Sequence, residues 1–298
     1  MYSNNAHQEC ERIAEIFQLK ATRQGGFKGQ CPLCGYKNAF SLDYKQGKIL
    51  FHCHACQDDP RRFISHFQSI GLWSKNQSAS VAIAKPAKPA KVNDEDLQKR
   101  EYARKVWEAS SPIDGTLAER YLNSRGIHHA NIEALRFKPS VWHKESNLSF
   151  PTMVAKVTTK HGDFMGIHRT FIAHGGMAKA DVIPPRKPIA KIAGGSVHLS
   201  PLTGDTLAVC EGIETGLSIL QMTGIPTWAC LSTGGMVSLE IPKTIRTLLI
   251  CGDNDPAGIT ASLALKARAI EEGYAVKYIT PQEAGFDFND VLQKEATT

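Results

Sequence analysis

Glu211 lies in the stretch CEGIET, and Asp253 and Asp255 lie in CGDNDPAG. Each stretch follows an apolar, strand-like run and precedes a helix-like segment. Glu211 is thus expected at the carboxyl end of one strand, and the two Asp at the carboxyl end of another. Strand alternation is expected to point Asp253 and Asp255 the same way. The carboxyl edge of a parallel α/β sheet is where such sheets take ligands. Oxygen-only donors facing open space suit Mg²⁺ or its close substitute Mn²⁺, which keeps waters and shares substrate phosphates. A further acidic motif, DFND at 287–290, follows the last strand-like run. Like charges this close repel unless a cation lies among them. The chemistry expected is metal-assisted phosphoryl transfer. Glu214, one turn into the first helix, has two readings: a member of the cluster, or a favourable charge at a helix N-terminus.

A second set of residues has metal-ligand spacing. Cys31 and Cys34 form one CxxC doublet and Cys53 and Cys56 another, with 18 residues between them. Two such knuckles fit a closed, tetrahedral, structural Zn²⁺ site. His52 and His54 flank the second knuckle and are read as surface residues. Phe40, Tyr44 and Phe51 either stack on bases or form the core of a small ribbon. Cys210 and Cys251 sit in strand runs and read as buried apolar residues.

These residues need elements to hold them. Residues 1–75 read as a zinc-ribbon unit: a first helix from Asn5 to about Leu19, a hairpin AFSLDY–KILFHC, and a helix with Phe63, Ile64, Phe67 and Ile70 at helical spacing. Residues 76–93, containing KPAKPAK, read as an extended linker with no core of its own. Residues 94–202 read as a basic α+β unit with two helices followed by hairpin-like strands, the last in AKIAGGSVHL. Residues 203–298 alternate strand and helix, which implies a parallel sheet with right-handed crossovers. The expected class is α/β, built as ribbon, basic lobe and C-terminal parallel-sheet domain.

Charge follows the same division. Residues 203–298 carry 6 Lys and Arg against 12 Asp and Glu, whereas residues 1–202 carry 29 against 17. An acidic end beside a basic body suits a protein that holds a polyanion near metal ions. The composition, 42% hydrophobic and 21% charged, is that of an ordinary globular chain. No apolar run is long enough for a membrane span, and the N-terminus lacks a signal-like apolar segment, so the cytoplasm is the expected location and no membrane partner is expected. No G-x-x-x-x-G-K-[ST] phosphate loop occurs.

EGIET together with CGDNDPAG resembles a Toprim domain, the catalytic fold shared by bacterial primases, type IA and II topoisomerases and some nucleases. The resemblance covers residues 203–298. With the ribbon and the basic unit, the whole chain resembles the bacterial replicative primases, and most closely the compact primase-like proteins of phages and conjugative plasmids. The resemblance makes Glu211, Asp253 and Asp255 the catalytic metal ligands, with Asp287 or Asp290 joining them. It implies a DNA primase that makes short RNA primers on single-stranded DNA from nucleoside triphosphates; because the chain has no phosphate loop, a separate replicative helicase is expected if it works at a fork. More loosely, the basic lobe resembles that of these primases. This offers His168, Arg169, Lys179, Arg186, Lys187 and Lys191 to template and triphosphate, with Arg169 and Lys179 favoured for their small neighbours. The chain departs from the pattern in two places. The ribbon has four Cys where one ligand is usually His, and Asn289 stands where a second Asp is usual. The alternatives are a Toprim-type Mg²⁺-dependent nuclease and a non-catalytic DNA-binding accessory protein.

Overall fold

The computed structural model describes residues 3–22, 25–33, 35, 39–45, 48–53, 60–72, 94–128 and 132–296. The chain divides into two compact units, Met1–Lys91 and Val92–Thr298. Cys34, Cys56, His54 and the expected linker lie outside the described residues. Among the described residues no helix is long and apolar enough to cross a membrane.

In the first unit, α1 (Ser3–Ile16) leads into β1 (Lys20–Ala21), β2 (Phe27–Gly29), β3 (Phe40–Lys45) and β4 (Lys48–Cys53), followed by α2 (Pro60–Ser69). The four strands form an antiparallel meander in chain order. Phe40 pairs with Cys53 and Leu42 with Phe51, so these four side chains share one face, and all are buried. Phe63 and Phe67 of α2 pack on that face, with ring centroids 5.1 Å for Phe40–Phe63 and 5.3 Å for Phe51–Phe67. Phe40 and Phe51 therefore form this unit's core and are not stacking faces for bases. Ile70 lies beyond the helix and is exposed. Cys31 and Cys53 are both buried in this unit.

The second unit starts with α3 (Asp94–Glu108), β5 (Ser111–Pro112) and α4 (Leu117–Ser124). Thr116 caps α4 through a bond from the Ala118 N–H, and Gly126 adopts φ 74° just past its end, as a helix stop requires. Then come β6 (Leu135–His143), β7 (Leu148–Thr158), β8 (Phe164–Phe171) and β9 (Arg186–Ile189). With β5 they make a five-stranded antiparallel sheet, β5-β6-β7-β8-β9. One face is covered by α3, whose Ala103, Val106 and Trp107 pack on Val154 and Ile167.

The remaining elements are β10 (Val197–His198), β11 (Thr206–Cys210), α5 (Ile213–Thr223), β12 (Thr227–Ala229), α6 (Thr233–Ser238), β13 (Thr247–Cys251), α7 (Pro256–Glu271), β14 (Ala275–Ile279) and α8 (Phe288–Glu295). The sheet order is β10-β12-β11-β13-β14, parallel throughout except for antiparallel β10. The expected alternation is present. β10 differs from expectation: sequence reading assigns SVHL to the basic unit, but it is hydrogen-bonded into the parallel sheet.

The two sheets are joined. Thr158 of β7 and Ser196 exchange backbone bonds of 3.0 and 3.1 Å. One apolar cluster runs from Met153, Ala155 and Val157 of β7 to Ala208, Cys210 and Leu217. α8 is fastened by Asn289, which is fully buried. Its side-chain amide donates to the Arg125 carbonyl (2.8 Å) and to Ser218 Oγ (3.0 Å). The residue that departs from the expected Asp is thus a structural tie. Asn289→Ala removes the donor to both acceptors, of which Ser218 is buried, at a cost of about 1–3 kcal/mol. Thermal unfolding should show a midpoint lowered by several degrees, and an unchanged midpoint would refute this role.

Candidate active site

Glu211 follows β11 directly, and Gly212 is the N-cap of α5. A side chain at 212 would meet Thr215 Oγ1 at 2.9 Å, so glycine is needed for the tight entry into the helix. The Glu211 carbonyl accepts from Leu231 N–H at 2.7 Å. Both features hold Glu211 at the carboxyl end of the parallel sheet.

β13 ends at Cys251, so Asp253 and Asp255 lie in the following loop rather than on the strand. Strand alternation therefore does not set their directions. Asp253 is half-buried, while Asp255 is exposed and spends Oδ1 on capping α7, accepting from Gly258 N–H at 2.7 Å. A side chain at Gly258 would come within 2.7 Å of the Asp253 carbonyl, so Gly258 lets the helix start against Asp253. Asn254, which sequence reading passed over, ties this loop to the next one. Its amide donates to the carbonyls of Pro281 (3.0 Å) and Glu283 (3.0 Å), and its backbone pairs with Phe286 and Gly285. The tied segment leads straight to Asp287. The available signal was an Asn between two Asp in a strand-end loop.

Asp287 caps α8 and accepts from the N–H groups of Asn289 (2.6 Å) and Asp290 (3.1 Å). Asp290 completes a capping box by accepting from Asp287 N–H at 3.0 Å. Asp287 acts electrostatically on Asp253.

The acidic groups feel one another. Burial, then Glu211, Asp287 and Asp255, push the Asp253 carboxyl up from 3.8 to about 7, against the pull of Arg186. Burial also raises Glu211, opposed by Arg186 and reinforced by Asp255. Asp253 Oδ1 is buried without a hydrogen-bond partner. Among the described residues, no three acidic, His or Cys side chains already stand together as a metal-ligand group. The donors nevertheless fit a hard divalent cation. They are carboxylates, they repel one another, and one buried oxygen lacks a partner. Glu211, Asp253, Asp255 and Asp287 are the residues that would hold it.

The basic residues are sorted by strand parity. Thr170 pairs with Arg186 and His168 with Pro188, so His168 and Arg186 share the face of the antiparallel sheet that carries Met153 and Ala155 into the common core. Arg169 pairs with Lys187 on the opposite face, the α3 side. Arg169 lies over the Phe171 ring at 5.3 Å, and Lys187 pairs with Glu145. Neither is directed to the acidic cluster. His168 is buried, and burial, with Arg186 next, lowers its pKa to about 4. It is neutral at pH 7 and is not a phosphate-binding cation. Lys191 pairs with Asp96 at 2.5 Å. Lys179 pairs with buried Glu214 at 2.9 Å. Of the six, Arg186 is the one whose charge acts on both Glu211 and Asp253, and it is exposed.

A sheet with these acidic loops at its carboxyl edge defines a class. Residues 206–298 match the family model of the Toprim domain, and this part of the chain is a Toprim domain. Residues 97–199 match a model described as a domain of unknown function, DUF7146. The comparison with curated proteins gives no match. Among solved structures, the chain is similar to a DNA primase domain from Pseudomonas aeruginosa, with 13% identity and a TM-score of 0.42, covering 66% of this chain and 75% of that one. It is similar to the DnaG primase catalytic domain bound to ssDNA, with 15% identity and a TM-score of 0.48, covering 68% and 79%. It is also similar to the Aquifex aeolicus primase comprising zinc-binding and RNA polymerase domains, with 14% identity and a TM-score of 0.44, covering 98% and 81%.

The raised Asp253 carboxyl gives a signed pH prediction. Its pKa in the folded chain, about 7, lies above its ordinary 3.8, so the folded state holds the extra proton between those values. Stability of the metal-free protein from this group is full below about pH 4 and is lost as pH rises to about 7, on the order of a few kcal/mol. In a chelator, Asp253→Asn should melt several degrees above the parent at pH 8 and close to it at pH 4. Equal melting points at pH 8 would show that Asp253 is not strained by its neighbours.

Proposed function

We propose that this protein is a primase-type nucleotidyltransferase that makes short RNA primers on single-stranded DNA. The observation that carries the reading is the set Glu211, Asp253, Asp255 and Asp287 at the carboxyl edge of a Toprim sheet, with Arg186 acting on it from the adjoining lobe. Bound Mg²⁺ or Mn²⁺ would supply Lewis acidity at a 3′-hydroxyl and at the phosphates of an incoming nucleoside triphosphate. Glu211 and Asp253, both partly desolvated, would set the position of that charge. Asp255 and Asp287 each give one oxygen to a helix cap, which fixes their backbones and leaves the other oxygen for the site.

Arg186 provides the fixed positive charge on the facing rim. An exposed guanidinium near a carboxylate cluster can take a phosphate in bidentate fashion and help align it. Template contact by Arg169, Lys187 and Lys191 is assigned to a different surface, because strand parity turns the first two away from the cluster and Lys191 pairs with Asp96. The first unit is proposed as a Zn²⁺ ribbon held by Cys31, Cys34, Cys53 and Cys56, joined by residues 76–93 and contacting the template. A separate replicative helicase is proposed as a partner.

The purified chain, incubated with single-stranded DNA, ribonucleotides and Mg²⁺ or Mn²⁺, should yield short labelled oligomers. Asp253→Asn should abolish them. Arg186→Ala should raise the KM for nucleotide by about tenfold or more, the worth of a charged phosphate contact. Metal-dependent loss of the DNA strand without oligomer formation would favour the nuclease reading, and full synthesis by Asp253→Asn would reject the assigned site.

A further inference from the structure

Glu214 belongs to neither the acidic cluster nor the solvent. Its side chain is 5% exposed, and Oε1 accepts from the Tyr121 hydroxyl at 2.6 Å and pairs with Lys179 Nζ at 2.9 Å. Tyr121 lies on α4, and Lys179 is bridged to Ile172 just beyond β8. Both partners thus come from the antiparallel lobe, while Glu214 is on the first turn of α5, three residues after Glu211. The Glu214 carbonyl accepts from Ser218 Oγ at 2.9 Å, and Ser218 Oγ in turn accepts from the Asn289 amide at 3.0 Å. Asn289 also donates to the Arg125 carbonyl at the end of α4, and it lies two residues beyond Asp287.

Two sets of bonds therefore meet at Glu214: its carboxylate holds Tyr121 and Lys179, and its backbone carbonyl holds Ser218, which takes the Asn289 amide. Together they fix the helical turn that follows Glu211 and the helix capped by Asp287. We propose that Glu214, with Tyr121 and Lys179, is a positioning group that sets Glu211 and Asp287 relative to Asp253, and that Lys179 is committed to this task rather than to phosphate. This rests on the reading of the acidic cluster as a metal site. A simple surface ion pair does not account for the arrangement, since the carboxylate is buried, holds two partners through one oxygen, and spans two lobes. Groups that orient metal ligands from behind commonly change metal affinity by about 10- to 100-fold when altered.

The test is Mn²⁺ binding to the whole chain by calorimetry at 25 °C, with thermal unfolding measured in parallel. Val154→Ala, under α3 and away from the network, serves as a control that lowers stability alone. Glu214→Gln keeps the side chain's size and removes its charge, and should weaken Mn²⁺ binding about tenfold or more. Val154→Ala should leave binding unchanged at a comparable loss of melting temperature. Tyr121→Phe, which removes one hydrogen bond, should weaken binding in the same direction by a smaller factor, and it decides the matter if Glu214→Gln does not fold. Unchanged Mn²⁺ affinity in these variants, with binding still abolished by Asp253→Asn, overturns the positioning role and leaves the metal site standing. No Mn²⁺ binding by the parent overturns both.

Discussion

Repulsion among carboxylates at the end of a parallel sheet is the constraint around which the second unit is arranged. Asp253 carries much of it, because it is half-buried and Glu211, Asp287 and Asp255 all act on it. A chain free to relax would swing these groups apart. Here each is anchored through its backbone: Glu211 by the Gly212 helix entry and the Leu231 bond, Asp255 and Asp287 as helix caps, and Asp253 by close packing of Gly258. The capped helices also aim their positive ends at the acidic groups, which offsets part of the repulsion.

Anchoring each loop separately would not fix their mutual distances. The Asn254 amide joins the loop after β13 to the segment before α8. The chain through Glu214, Ser218 and Asn289 joins the start of α5 to α8 and to α4. Apolar packing could hold these elements at similar cost, but it is tolerant of small slips, whereas directional hydrogen bonds favour one arrangement. A site whose geometry must be kept against its own charge gains from the second kind of joint.

Much of this was legible in the chain because it rests on period and spacing. The alternation of TLAVC, PTWACLS, TLLIC and YAVKYI with helical segments identified the parallel sheet, and CEGIET with CGDNDPAG located its acidic edge. Three things were hidden for physical reasons. β10 is two residues long and runs against the sheet, so SVHL carries no pattern that distinguishes it from the preceding lobe. α6 is six residues with two glycines, too short and too flexible to show an amphipathic face. The Asp253–Asp255 alternation fails because β13 stops at Cys251, and where a strand stops is set by its neighbours rather than by its own residues.

The basic residues show a different limit. GIHRTFIAHGGMAKADVIPPRKPIAK reads as a continuous cationic stretch, and small neighbours favour Arg169 and Lys179. Strand pairing settles each differently. Parity sends Arg169 and Lys187 to the α3 face and His168 and Arg186 to the opposite one, where burial removes the charge of His168 while Arg186 stays exposed. Small neighbours beside Lys179 mark the room it needs to enter the interior and meet Glu214, not an open path to a phosphate. A cation tied to a buried carboxylate has exchanged its reach for rigidity. The exposed Arg186 keeps its reach, and the division of labour between these two charges follows from which of them the fold leaves in water.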